Sequence, residues 1–179
     1  MLTIGFIVGS LAPDSINRKL SRVLVNHAPE RVQMNEIDIT ELPLYDRHMD
    51  DDFPQVMSHF KDEVAAVDGL LLITPEHNQA YPAAVKNALD ILTRGASSQL
   101  KGLPMGIVGA SPSRFGTINS QGQLHQFLPR LGVRLMGTPV FALQVGEGTF
   151  PEDGVADEST SKRALRYMEA FATFVAVER

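Results

Sequence analysis

The chain of 179 residues contains no cysteine and no tryptophan. The first absence excludes a disulfide framework, a thiolate nucleophile and any cysteine-ligated metal site. The second leaves nine Phe and three Tyr as the whole stock for aromatic stacking. Basic residues are in the minority, 16 Lys and Arg against 21 Asp and Glu, giving a net charge of -5. That balance argues against nucleic acid as a partner, because its binders carry basic patches. The longest apolar runs are too short to cross a bilayer, and the N-terminal MLTIGFIVGS lacks the basic region of a signal peptide. No membrane association and a cytoplasmic location are therefore expected. Five His, at 27, 48, 59, 77 and 125, show no zinc-ligand spacing, so no metal is expected.

What is present is the composition of an ordinary globule, 44% hydrophobic and 21% charged. The length suits one domain over residues 1–179, large enough for a substantial core, and no repeat or linker interrupts it. Strand and helix signals alternate. LTIGFIVG (2–9) is an apolar run ending in Gly, as a buried strand would be. Ile16, Leu20, Val23, Leu24 and His27 then recur at helical spacing. VQMNEIDI (32–39) predicts a second strand nearer the sheet edge, followed by a helix with Phe53, Val56, Met57, Phe60, Val64 and Val67 on one face. Strand three is 69–74, and its helix buries Ala84, Val85, Ala88, Leu89 and Leu92. Strand four is 103–110, with Leu124, Phe127, Leu128 and Leu131 on the helix after it. VRLMGTPVFAL (133–143) predicts strand five, with Pro139 at a bulge or edge. Leu165, Met168, Phe171, Ala172 and Val175 form the buried face of a last helix.

Five strands separated by helices imply right-handed βαβ units on a parallel sheet, an α/β three-layer sandwich with helices on both faces. Strands one, three and four are apolar almost throughout and should be central. The order 2-1-3-4-5 satisfies this, although another doubly wound order stays open. Ligands of such sheets bind beyond the C-terminal ends of the strands, at the switch point between strands one and three. Three loops therefore matter. GSLAPDSIN leads into a helix whose free N–H groups suit a phosphate, with Ser10, Ser15 and the Asn17 amide nearby, while simple N-capping by Asp14 or Ser15 is the plainer reading. It is neither GxGxxG nor GxxxxGK[ST], so neither a dinucleotide fingerprint nor a nucleoside-triphosphate loop. TPEHNQAYP is stiffened by Pro75 and Pro82 and offers Glu76, His77, Asn78 and outward amides. GASPSRFGTIN ends strand four in small residues and supplies Ser111, Ser113, Arg114, Phe115 and Gly116, with a plain polar turn as the alternative.

Together, GSLAPDSINRKL, PLYD (43–46), TPEHNQAYPAAVKNALDIL and GASPSRFGT resemble the NAD(P)H-dependent FMN reductases, a flavodoxin-like family that includes quinone, chromate and azo-dye reductases. The matches fall in order over roughly the first 130 residues, and the P-E-x-N…P…KNA-D pattern is the most specific. The resemblance implies FMN as cofactor and NAD(P)H as co-substrate. It implies Ser10, Ser15, Ile16 and Asn17 around the phosphate, and Pro75, Glu76, His77 and Asn78 along the isoalloxazine. Ser111, Arg114, Phe115 and Gly116 would border the ribityl chain or ring from the other side. Two positions depart from the pattern: Ala12 stands where Arg is common, removing a charge-assisted bond while acidic Asp14 sits beside the implied phosphate, and His77 stands where Tyr is usual.

The activity implied is hydride transfer from NAD(P)H to flavin and on to a quinone, azo, chromate or flavin acceptor, with no catalytic acid or base required of the protein. Two other classes remain open at this stage: a flavodoxin-type FMN electron carrier that does not oxidise NAD(P)H, and a non-flavin phosphate-ligand domain of the same fold. The ring-side loops offer only Tyr81 and Phe115 as aromatics, where a carrier tends to sandwich the ring between two. The family also implies a homodimer or dimer of dimers, with LPLYDRHMDDDFP (42–54) overhanging the neighbouring subunit through Tyr45 and His48. Read plainly, Asp50, Asp51 and Asp52 cap a helix from Phe53. Neither the physiological acceptor nor a preference for NADH or NADPH is legible.

Overall fold

In the computed structural model, residues 1–95 and 97–177 are described. Ala96, Glu178 and Arg179, which the expected 1–179 unit includes, lie outside the described residues. Strand β1 (Leu2–Val8) leads to helix α1 (Ile16–Asn26), and β2 (Val32–Glu36) leads to α2 (Gln55–Ala65). Then β3 (Gly69–Ile73) precedes α3 (Ala83–Leu92), and β4 (Pro104–Ser111) precedes α4 (Ile118–Phe127). Two short strands, β5 (Arg134–Leu135) and β6 (Phe141–Gln144), and the long helix α5 (Glu158–Ala176) complete the chain. All pairings are parallel, and the order is β2-β1-β3-β4-β5, with β6 also pairing β4.

Side chains alternate across this sheet and so feed two separate cores. Leu71, Ile73, Val108 and Ala110 join Leu20 and Leu24 of α1 and Met168 and Phe171 of α5 on one face. On the other, Leu70, Leu72, Met105 and Ile107 join Met57, Val85, Leu89 and Leu124 of α2, α3 and α4. Each such aliphatic side chain contributes about 1.5–3 kcal/mol on burial, which is why β1, β3 and β4 are apolar along their whole length. Tyr167 is the polar exception at the centre. Its hydroxyl donates to the Ile107 carbonyl at 2.9 Å, and burial pushes its pKa well above the usual value.

Four details differ from the sequence reading. The predicted fifth strand is two strands at one sheet edge: β5 pairs with Pro104 and Met105, β6 with Val108 to Ser111, and the chain leaves the ladder between them. Gly137 and Pro139 occupy that gap, and proline has no N–H to give a ladder. The second strand ends at Glu36, after which Ile37 and Ile39 are buried as core residues outside the strand. On α5 the buried face runs Ala164, Tyr167, Met168, Phe171, Ala172, Val175, and Leu165 is half exposed. Finally, α2 starts behind Pro54 with no side-chain cap and no acid in its first turn. Asp50 instead accepts from the Tyr45 hydroxyl, at 3.1 Å to each oxygen, and Asp46 caps the short 3-10 turn Arg47–Asp50.

Candidate functional site

The C-terminal ends of β1, β3 and β4 lie side by side, and backbone bonds tie their loops together. Gly9 N–H donates to the Ile73 carbonyl at 2.8 Å, and Thr74 N–H to the Val108 carbonyl at 2.9 Å. Gly109 has no room for a side chain: a Cβ there would lie 2.1 Å from the Thr74 carbonyl oxygen. The small residue at the end of β4 therefore lets the second loop close over the strand.

The first loop is the least occupied. Residues 11–14 are exposed, and Ser10 is half-buried. Ser15 is the N-cap of α1, its hydroxyl oxygen accepting from Arg18 N–H at 3.1 Å. The N–H groups of Ile16 and Asn17, first in the helix, have no intrahelical acceptor. No acid stands in the first turn, so the positive end of the helix is left for an anion. Asn17 is 2% exposed, and its side chain is committed elsewhere: Nδ2 donates to the Ala110 carbonyl and Oδ1 accepts from Ala110 N–H, both at 2.9 Å. Its side chain is therefore not available to an anion, which leaves only its backbone N–H.

The second loop is pinned. Its Glu76 carboxylate accepts from Asn119 N–H (2.9 Å), Asn119 Nδ2 (3.2 Å) and Ser120 N–H (3.0 Å). Those backbone donors belong to the first turn of α4, whose N-cap Thr117 makes no side-chain cap bond. Glu76 therefore caps a helix from 43 residues away. His77 and Ala80 exchange backbone hydrogen bonds of 2.9 and 3.0 Å around Asn78 (φ 50) and Gln79 (φ 64). Two left-handed central residues make this a type I′ turn, normally the preserve of Asn-Gly. Gln123 Nε2 holds it by donating to the Gln79 carbonyl at 2.9 Å. Pro75 is buried, while His77 and Asn78 are exposed.

The third loop folds on itself. Ser111 Oγ donates to the Gly116 carbonyl at 2.7 Å and accepts from Ser113 N–H at 3.1 Å. Gly116 (φ 58) turns tightly against Leu143, where a Cβ would lie 2.9 Å from its backbone. Arg114 and Phe115 project outward, the guanidinium carbon 4.4 Å from the ring centroid, and Phe115 is 52% exposed.

Between the second and third loops lies a cleft of about 480 Å³, lined by Glu76 and Gln79 on one side and by Ser113, Arg114, Phe115, Ile118 and Asn119 on the other. The stretch GASPSRFGTIN reaches Ile118 and Asn119, but neither is among the expected site residues. The sequence reading also passed over Gln79, and Gln123 behind it. Tyr81 turns away from the cleft and stacks on Phe127, with ring centroids 6.3 Å apart. Of the two ring-side aromatics expected, only Phe115 lines this cleft. The KNA motif is a clip: Asn87 donates to the Pro43 carbonyl at 2.9 Å and accepts from Tyr45 N–H at 2.8 Å, holding segment 43–45. Among the described residues no group of three His, Asp or Glu could hold a metal.

The arrangement puts a helix terminus suited to an anion and a cleft of the size that takes a small planar ligand at the same edge of the sheet. The model of the NADPH-dependent FMN reductases matches residues 2–148. A 2-hydroxy-1,4-benzoquinone reductase from a Burkholderia species is 36% identical over 176 residues, covering 97% of this chain and 96% of that protein. A quinone reductase from Pseudomonas putida is 30% identical, covering 99% and 96%. The solved structure of FerB, a flavoenzyme NAD(P)H:(acceptor) oxidoreductase from Paracoccus denitrificans, superposes with a TM-score of 0.92 at 33% identity, covering 98% of this chain and 97% of that one. An FMN-dependent NADH-azoreductase from Bacillus anthracis, solved with FMN, shares the fold at a TM-score of 0.63 and 12% identity, covering 98% and 100%. By sequence and fold alike, the chain belongs to the NADPH-dependent FMN reductase family.

Proposed function

We propose that the protein is an FMN-dependent NAD(P)H oxidoreductase that reduces small planar acceptors, quinones first among them. The observation that carries this reading is the first turn of α1, which holds no acidic residue, at the same C-terminal edge of the sheet as the 480 Å³ cleft. Its support from relatives is the benzoquinone and quinone reductases named above. The FMN phosphate would rest on the N–H groups of Ile16 and Asn17, with the Ser10 and Ser15 hydroxyls as further partners. Pro75, Glu76, His77 and Asn78 would flank the ring on one side, and Ser111 and residues 114–116 on the other. When bound, FMN would supply the redox chemistry that links NAD(P)H to the acceptor. Overall, NAD(P)H and one solvent proton convert a quinone to its hydroquinone and release NAD(P)⁺.

The chain's own part is positioning. Glu76 keeps the type I′ turn against α4, so the edge of the cleft does not yield when a ligand enters. Phe115 and Ile118, 52% and 43% exposed, give an apolar wall on which a flat acceptor can lie. A carrier that sandwiches its flavin between two aromatics is disfavoured here, because Tyr81 is occupied with Phe127. A homodimer in which segment 42–54 reaches the partner, and a cytoplasmic location, belong to the same proposal. Leu44, 79% exposed beside the Asn87 clip, is the surface residue that favours the dimer.

The test is a comparison of FMN with riboflavin, which lacks the phosphate. The proposal expects FMN to bind at least about a hundredfold more tightly, as a phosphate on a helix terminus with charge-assisted bonds should. Ser15→Ala should narrow that gap. Equal affinity for the two flavins would remove the phosphate from the α1 terminus, and no uptake of either would end the flavin reading altogether.

A further inference from the structure

We propose that Arg114 selects the electron acceptor, favouring flat conjugated acceptors that carry an anionic oxygen, such as an ionised hydroxyquinone or an aryl carboxylate. This rests on the reductase function proposed above and adds a substrate class to it.

The cleft holds one cation and one acid among its described lining residues, Arg114 and Glu76. Among the described residues no ion pair joins them, and the Glu76 carboxylate accepts from three N–H donors at the start of α4. Among the described residues, no carboxylate or carbonyl accepts from the Arg114 guanidinium, whose contact is the face of Phe115 at 4.4 Å. A guanidinium resting on a ring is oriented without using its N–H donors. The cleft wall thus presents a positive fork, an exposed ring and the apolar Ile118 together. That set matches a planar molecule with a negative oxygen at its edge: the ring lies on Phe115 and Ile118, and the oxygen takes the fork. A charge left unpaired in a cleft with low-dielectric walls concentrates anions there. This site is separate from the α1 terminus, whose donors are backbone N–H groups on a different loop. The Arg114 backbone can border the flavin as proposed while its guanidinium addresses the acceptor.

The test uses FMN-loaded protein, wild type, Arg114→Gln and Arg114→Lys. Two benzoquinones serve as acceptors, one hydroxy-substituted and ionised at neutral pH, the other methyl-substituted and neutral. Redox-inert benzoate and benzamide provide a binding readout by calorimetry. Wild type should prefer the hydroxyquinone and bind benzoate over benzamide, both preferences shrinking as salt rises. Arg114→Gln should lower kcat/KM for the hydroxyquinone, through KM, by about tenfold to a hundredfold more than for the methylquinone, the loss of a charged hydrogen bond. Arg114→Lys should keep part of the preference, retaining charge but not the fork. An unchanged ratio overturns the proposal. So does a loss of FMN affinity in Arg114→Gln as large as the loss of benzoate affinity, or a rise in KM confined to NADPH, either of which assigns Arg114 to another ligand. If Arg114→Gln does not fold, wild type that binds benzoate no better than benzamide still overturns it. Protein that takes up FMN and oxidises NAD(P)H without anion preference sinks this inference alone, whereas protein that takes up no FMN sinks the reductase reading beneath it.

Discussion

Loops 9–15 and 74–80 leave neighbouring strands of one sheet, yet they spend their polar groups in opposite ways. In the second, Glu76, the backbone of His77 and Ala80 and the Gln79 carbonyl all have partners inside the protein. In the first, one hydroxyl caps a helix, and the leading N–H groups of α1 have no intrahelical acceptor and no acid in the first turn. A loop whose hydrogen bonds close internally is a scaffold, and a loop that leaves donors open next to a helix dipole is a receptor. The difference is what supports the proposed anion site at the start of α1.

Five substitutions, the last followed against pH, probe these loops and the helices beside them, from largest effect to smallest. Asn17→Ala removes both bonds to Ala110 and leaves a buried N–H and carbonyl without partners, so urea unfolding should show a loss of about 2–3 kcal/mol at constant m. A loss below about 0.5 kcal/mol would mean that water or a backbone shift replaces the stitch. Glu76→Ala strips the cap from α4 and should cost about 1–2 kcal/mol, with faster hydrogen exchange at Asn119 and Ser120. Glu76→Gln, which keeps an acceptor but not the charge, should recover roughly half of that. Gln79→Gly should act in the opposite direction, stabilising by about 0.5–1 kcal/mol because glycine takes the left-handed position without Cβ strain. The weakest effect is on the acid side. Burial lowers the pKa of His125 below its ordinary value of 6.5, so the unfolded chain takes up that proton at higher pH than the native state does. Stability should therefore decline as pH falls from about 6.5 through the native value, and His125→Gln should flatten that slope in thermal melts at a series of pH values.

Periodicity alone made much of the fold legible. Five alternating strand and helix signals place β1, β3 and β4 at the centre, because strands covered on both faces must be apolar throughout. The errors share a cause in local ambiguity. Leu165 looks like a core residue, but Ala164 beside it lies on the stripe that faces the sheet, and α5 can turn only one of them inward. VRLMGTPVFAL reads as one strand because its apolar residues are nearly continuous, while Gly137 and Pro139 open a gap in the ladder. At the site, the loops were found from strand ends and small residues. The partners of Glu76, Asn17 and Asn87 lie 43, 93 and 44 residues away, and no local pattern encodes such contacts. The type I′ turn was hidden for another reason: Asn-Gln replaces the Asn-Gly that signals it.

The central claim is that this chain carries FMN and takes its electrons from NAD(P)H. Its most direct test is anaerobic addition of NAD(P)H to the FMN-loaded protein, followed by the yellow absorbance of the oxidised flavin. The account predicts one FMN bound per chain and complete bleaching by a single equivalent of NAD(P)H, with colour restored by an added quinone. Protein that binds FMN but bleaches only with dithionite would be a carrier, and that result would contradict it.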